Sequence, residues 1–192
     1  MKVIVACESS GVVRNAFRKL GHDAWSCDIL PPDDGSKYHY QVDILEVINN
    51  GWDIMIAHPP CTHLAASGAR WFKDKREEQE KSLEFVRVLL DAPIEMIALE
   101  NPVGIISSRI RKPDQIIQPW MFGHPEAKKT CLWLKGLPLL KPTNILPLPE
   151  KGHWNNQTPS GQNKLGPSPD RWKIRSKTYY GIAKAMAIQW NK

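Results

Sequence analysis

The sequence predicts an α/β fold built on a mostly parallel sheet of about seven strands, on three observations. Short apolar runs of the kind that make buried strands recur along the first half of the chain. Segments with apolar residues at helical spacing alternate with them. Gly, Pro and acidic residues punctuate the ends of the runs, as turns between strand and helix require.

The elements follow in order. Lys2–Ala6 (KVIVA) is a β-branched run bounded by polar residues and reads as a buried strand. Val12, Val13, Ala16, Phe17 and Leu20 then mark a helix, with Ser9 or Ser10 as its expected N-cap and Gly21 just past its end. Asp23–Cys27 (DAWSC) is a second strand, ending at Asp28 ahead of the breakers Pro31 and Pro32. Residues 53–57 (DIMIA) form a third, stopped by Pro59 and Pro60. Residues 73–90 read as a long charged helix whose apolar side is Leu83, Val86, Leu89 and Leu90. Residues 94–99 (IEMIAL) make a strand that runs out at Glu100-Asn101-Pro102. Beyond Pro113 prolines weaken the pattern, leaving 128–134 (KKTCLWL) as one more strand and 151–169 as a loop. A last amphipathic helix carries Ile182, Ala183, Met186, Ala187 and Trp190. With no internal repeat, the expectation is one domain over 1–192. Residues 1–135 would be its core, 136–178 a short loop-rich basic segment and 179–192 a C-terminal helix.

A chain of 192 residues can bury a core without disulfides or metals. Its 42% hydrophobic and 24% charged content is that of a globular protein and excludes a disordered chain. Met1-Lys2 leads straight into a strand, so no signal peptide is expected, and no apolar stretch is long enough for a membrane span. Cys7, Cys27, Cys61 and Cys131 are far apart with no CxxC pair, which predicts free thiols in a reducing, cytoplasmic setting. The net charge of +6 is unevenly spread. Residues 151–192 hold eight basic side chains and one acid, whereas the first 150 hold 18 and 19. Such a basic segment suits a polyanion, DNA or RNA, and equally a solvated tail.

In an open parallel sheet, ligands bind outside the carboxyl ends of the strands. Residues 8–11, Asp28, 58–63 and 100–102 are therefore where chemistry is sought. His58-Pro59-Pro60-Cys61 stands out. Two prolines fix φ, remove two backbone donors and hold the following thiol at the sheet's edge, as a nucleophile requires. Glu100, at the end of the next strand, offers a carboxyl group for general acid work beside that thiol. Either residue alone is ordinary, Cys61 as a small core residue and Glu100 as a solvated carboxylate; their pairing is what points to catalysis. His58, Cys61 and His63 also have zinc-ligand chemistry, with Cys131 or His124 as a fourth ligand that nothing in the spacing specifies.

Pro59-Pro60-Cys61 and Glu100-Asn101-Pro102 resemble the catalytic PPC and ENV motifs of the DNA cytosine-C5 methyltransferases. A glycine-containing first loop and an acidic residue ending the second strand come in the family's order. The likeness covers roughly residues 1–105 and extends to the final helix, and it looks closest to short phage-encoded members. It implies a Rossmann-like S-adenosylmethionine-dependent methyltransferase fold, S-adenosylmethionine as cofactor and DNA as partner. By this resemblance Cys61 adds to C6 of cytosine and Glu100 protonates or hydrogen-bonds N3, so that C5 takes the methyl group. It assigns Glu8, Ser9, Ser10 and Gly11 to the cofactor's methionine end, Asp28 to its ribose hydroxyls, Asp43 to the vicinity of the adenine, and Pro59 to the same pocket. Lys128 and Thr130 match the position of the family's QxRxR strand, and 178–187 its last motif.

Two departures matter. Residues 7–11 keep one glycine where the family has several, and the stretch between Leu134 and Thr178 is too short for a target-recognition domain. The chain is thus expected to read little sequence, to borrow a partner, or to act on RNA or a free nucleotide; a non-catalytic binding homologue is the remaining alternative. A base must leave the stack to reach Cys61. Arg171, Lys173 and Arg175 are the expected phosphate contacts, with Trp172 either stacking on a base or packing in the core.

Overall fold

Val3, Ile4, Val5 and Ala6 are wholly buried, so the first strand, β1 (Lys2–Ala6), is covered on both faces. The structure is a computed structural model that describes residues 1–66, 75–160, 163–166, 168, 176 and 178–191. Along the described chain follow α1 (Val12–Arg18), β2 (Asp23–Cys27), β3 (His39–Tyr40), α2 (Ile44–Val47), β4 (Ile54–Ala57) and α3 (Arg76–Leu90). The second half adds β5 (Met96–Pro102), α4 (Ile106–Arg109), β6 (Gln115–Ile117), β7 (Thr130–Lys135) and α5 (Tyr180–Gln189).

Among the described residues, seven strands form one sheet in the order β3-β2-β1-β4-β5-β7-β6. Every pairing from β3 to β5 is parallel, and β7 runs antiparallel between β5 and β6. Side chains alternate across each strand, and the two faces bury separate cores. Val3, Val5, Ile54, Ile56 and Ala98 face Phe17 of α1, Ile182 and Met186 of α5, and Trp190 just past its end. Ile4, Met55, Ile97 and Leu99 face Ile44 of α2 and Leu83, Val86 and Leu89 of α3. Helices on both faces of this sheet make the predicted Rossmann-like α/β architecture. The strand order turns back between β1 and β4, and the crevice outside their carboxyl ends is where such sheets take ligands.

Several expectations need correction. The α1 N-cap is neither Ser9 nor Ser10. Gly11 holds that position in the left-handed conformation, and the Glu8 carboxylate accepts from Val13 N at 2.8 Å and Arg14 N at 3.3 Å. An ionised carboxylate is the stronger acceptor at a helix N-terminus. The strand expected at 94–99 runs to Pro102, because β7 pairs Leu132 with Glu100 and Cys131 with Asn101. Two short strands, β3 and β6, escaped notice; at two and three residues they are too short to show a period. The described part of the loop at 151–169 is anchored to the body of the protein. Trp154 is buried and stacks on Trp120 at 6.2 Å, and the Asn156 side chain brackets the Ala127 backbone at 3.0 and 2.8 Å. No helix among the described residues is long and apolar enough to cross a membrane.

Candidate active site

The loop leaving β1 is shaped by a buried cation. Arg14, fully buried, donates to Ser26 Oγ at 2.7 Å and forms an ion pair with Asp34. Its guanidinium lies over Gly11, where an added Cβ would sit 2.2 Å from Arg14 Nη2, and Gly11 also has φ of 67°. Glycine is needed there on both counts. Cys7 has φ of 58°, a left-handed conformation uncommon outside glycine. Its partly buried thiol is pushed well up, first by desolvation and then by the charge of Asp28. The loop thus carries an inward carboxylate, Glu8, that satisfies the first turn of α1. Ser10 Oγ donates to the same carboxylate at 3.2 Å, and Ser9 O accepts from Asp33 N at 2.9 Å.

On the other side of the crevice, β4 and β5 lie side by side with Ala57 opposite Leu99. Parallel register therefore brings His58 beside Glu100, and His58 Nδ1 lies 3.2 Å from Glu100 Oε2 with both side chains only 12% and 11% exposed. Asn101, 2% exposed, donates through Nδ2 to Pro59 O at 2.8 Å and ties the Pro-Pro turn to β5. Two residues on, Cys61 is exposed, and its carbonyl accepts from Leu64 N at 3.0 Å and Ala65 N at 2.9 Å, closing a tight turn. That turn docks on the segment after β5 through Ile105 N to Leu64 O and Ala66 N to Val103 O, both 2.9 Å. The approach is close because residue 104 is glycine; a Cβ there would meet Leu64 O at 2.0 Å.

Electrostatics shift the His58–Glu100 pair toward its ionic form. Burial, the largest influence on each, disfavours the charged form of both. The hydrogen bond and charge of Glu100, helped by the charge of Glu8, outweigh it and leave His58 raised, with Lys128 opposing. His58 and Lys128 likewise hold Glu100 below the usual carboxylate range. In this corner His58 Nε2 and Asn101 Oδ1 are buried without a hydrogen-bond partner among the described residues, and Glu100 Oε2 is buried against His58 Nδ1. Buried polar atoms are rarely left so, and a cluster of them at a strand edge is suited to a polar ligand.

The remaining predicted residues divide by what already engages them. Asp28 is half-buried at the end of β2, its Oδ1 accepting from Leu30 N at 3.0 Å. Asp43 caps α2 in a capping box with Glu46, accepting from Leu45 N at 3.0 Å. Thr130 is buried and donates to Lys128 O at 3.2 Å. The Lys128 ammonium lies 5.8 Å from the Tyr179 ring, and its charge reaches Glu100 and His58. Arg171, Trp172, Lys173 and Arg175 lie outside the described residues. His58, Cys61 and His63 do not converge: no group of three or more His, Cys, Asp or Glu able to hold a metal occurs among the described residues. Sequence reasoning passed over Asn101, Gly104 and Arg14. It weighed His58 only as a metal ligand. The adjacency of both motifs on paired strands was the signal that could have found the His58–Glu100 contact.

No protein-family model matches the chain, and no curated protein matches it. Among solved structures, one that is similar is the crystal structure of a protein named as a DNA modification methyltransferase encoded within a prophage of E. coli, with 17% sequence identity and a TM-score of 0.49. The alignment covers 79% of this chain and 53% of that one, so the chain spans about half the length of that protein.

Proposed function

We propose that the chain transfers a methyl group from S-adenosylmethionine to C5 of cytosine in DNA, with Cys61 as nucleophile and Glu100 as the group that engages N3. One observation carries it: a Pro-Pro-Cys turn and a Glu-Asn strand end meet at the carboxyl edge of adjacent parallel strands, joined by the Asn101–Pro59 hydrogen bond. Asn101 Oδ1, buried without a partner among the described residues, and the Glu100 carboxylate beside it are acceptors suited to the N–H groups of an aminopyrimidine.

The crevice between β1 and β4 fits the cofactor in part. Asp28 would take the ribose hydroxyls, with Asp43 and Pro59 toward the adenine, while residues 8–11 would meet the methionine end. Val13 N and Arg14 N are already engaged by Glu8, so the cofactor's carboxylate must use other groups. When bound, S-adenosylmethionine supplies a methyl group activated by its sulfonium charge. The protein's own contribution is to add the Cys61 sulfur to C6 and to deliver a proton to N3, which makes C5 nucleophilic. The target base must be flipped or single-stranded for the exposed thiol to reach it. Residues 1–135 would hold cofactor and base, and Arg171, Lys173 and Arg175, with Lys128, would neutralise phosphates.

The test is transfer of labelled methyl from S-adenosylmethionine to unmethylated double- and single-stranded DNA, read as 5-methylcytosine. Wild type should produce it and Cys61→Ala should not, while still binding cofactor. Equal product from both would overturn the mechanism. Label that appears only in RNA or a free nucleotide would overturn the choice of DNA.

A further inference from the structure

His58 is an odd residue to find before a catalytic Pro-Pro-Cys turn. It is nearly buried, it lies against the carboxyl group assigned to N3, and no metal cluster among the described residues explains it. The charged groups acting on it come from three directions: Glu100 of β5, Glu8 of the loop after β1, and Lys128 of the segment before β7. Glu8 is already met by the amides of α1, whereas the buried Glu100 carboxylate has His58 Nδ1 against it. An imidazolium there supplies both a donor and a charge to Glu100. Glu100 in the free protein is then a carboxylate without a proton of its own, whereas the chemistry at N3 needs one.

We infer that His58 is a positioning residue that holds this proton for Glu100, passing it from Nδ1 to the carboxylate as the carboxyl proton goes to cytosine N3. This rests on the proposed cytosine chemistry and adds the proton's source. The step balances. The Cys61 thiolate forms a C–S bond to C6, the C5–C6 π electrons shift into the ring and N3 gains a proton. Glu100 gains one proton and gives one, and His58 becomes neutral. C5 then takes the methyl group, the S–CH3 bond of S-adenosylmethionine breaking with its electrons left on that sulfur. On elimination the C5 proton is lost to water, the C5=C6 bond re-forms, and the C–S bond to C6 breaks with its electrons returning to the Cys61 sulfur. The N3 proton returns through Glu100 to His58. With His58 Nδ1 lying 3.2 Å from Glu100 Oε2, direct transfer is within reach.

The experiment has two parts, run on the full-length protein. The first follows the His58 ring by NMR through a pH titration in wild type and Glu100→Gln. His58 should be protonated at pH 7 in wild type, and its midpoint should fall in the variant. A ring that is neutral at pH 7, or unmoved by Glu100→Gln, overturns the inference whatever the activity. The second measures methyl transfer against pH for wild type, Cys61→Ala and His58→Asn. Asparagine keeps an N–H near the position of Nδ1 but cannot release a proton; His58→Gln replaces it if it folds poorly. The His58→Asn rate at pH 7.5 should fall about 10- to 100-fold, in line with general acid catalysis, and should recover as pH is lowered and Glu100 takes its proton from solvent. A rate reduced equally at all pH values would mean a purely structural role and overturn the inference. If wild type transfers methyl in a Cys61-dependent way and His58→Asn matches it, only the inference falls. If wild type transfers none, the proposed function falls and takes the inference with it.

Discussion

Replacing Asn101 by Ala isolates the link that holds the Pro-Pro-Cys turn to the sheet. The side chain is 2% exposed and its Nδ2 donates to Pro59 O at 2.8 Å, a bond that spans 42 positions of the chain. Removing it leaves the carbonyl of a buried proline without that donor. Such a loss costs about 1–3 kcal/mol. Against this, Asn101 Oδ1 is itself buried and unpartnered among the described residues, and its removal returns part of that cost. The expected net loss is about 1–2 kcal/mol. For a domain of this size that lowers Tm by about 2–8 °C. Turnover should suffer more than stability. Cys61 lies two residues beyond the anchored carbonyl, and a displacement on the order of 1 Å at a reacting group can cost 10²-fold. Asn101→Asp keeps the size but sets a second acceptor against Pro59 O, so it should be at least as damaging. Urea unfolding and the methyl-transfer assay, run on the same preparations, read both effects. An Asn101→Ala protein with wild-type midpoint and wild-type turnover would refute the anchoring role.

Two more predictions concern the same corner. Gly104→Ala puts a Cβ 2.0 Å from Leu64 O and must push the Cys61 turn away, breaking or lengthening the Ile105–Leu64 and Ala66–Val103 hydrogen bonds. A loss of about 2–4 kcal/mol by urea unfolding is expected from overpacking together with those bonds, and an unchanged midpoint would contradict the close approach. The His58–Glu100 pair gives stability a pH window. His58 is raised, so its contribution is complete below the ordinary histidine value of 6.5 and fades as pH rises through its folded value. Glu100 is lowered, so its contribution is complete above the ordinary glutamate value of 4.5 and fades as pH falls through its folded value. The gap in unfolding free energy between wild type and Glu100→Gln should therefore be widest at about pH 4.5–6.5 and narrow toward pH 9. A gap that is constant or widens over that range would show that the pair is not ionic.

Most of the parallel core could be read from the chain, because a strand buried on both faces writes itself as a continuous apolar run. Lys2–Ala6 is legible to the residue for that reason, whereas Asp23–Cys27, with Asp23 exposed, is marked by the turn residues on either side. Where pairing rather than hydrophobicity sets an element, the sequence is mute. The extension of β5 through Glu100 and Asn101 is dictated by β7 on its far side, which comes from a later stretch of the chain. The same holds at the candidate site. Cys61 and Glu100 were legible because proline and strand ends mark them. The anchoring by Asn101, the contact between His58 and Glu100, and the close approach at Gly104 are all consequences of two loops meeting in space. The first loop shows the limit from the other direction. Residues 7–11 hold a single glycine, and the structure shows what stands around it: Arg14 fills the space above Gly11 and Glu8 takes the amides of α1, neither of which a glycine count reveals.

The central claim, covalent attack by Cys61 on cytosine, is tested most directly with DNA in which cytosine is replaced by 5-fluorocytosine, incubated with the protein and S-adenosylmethionine. Fluorine at C5 cannot leave as a proton does, so the adduct formed after methyl transfer is held on the enzyme. The account predicts a covalent protein–DNA complex whose digested peptides carry the modified nucleotide on Cys61, and no complex with Cys61→Ala. Methylation of ordinary DNA without any trapped complex, or an adduct on Cys7, Cys27 or Cys131, would contradict it.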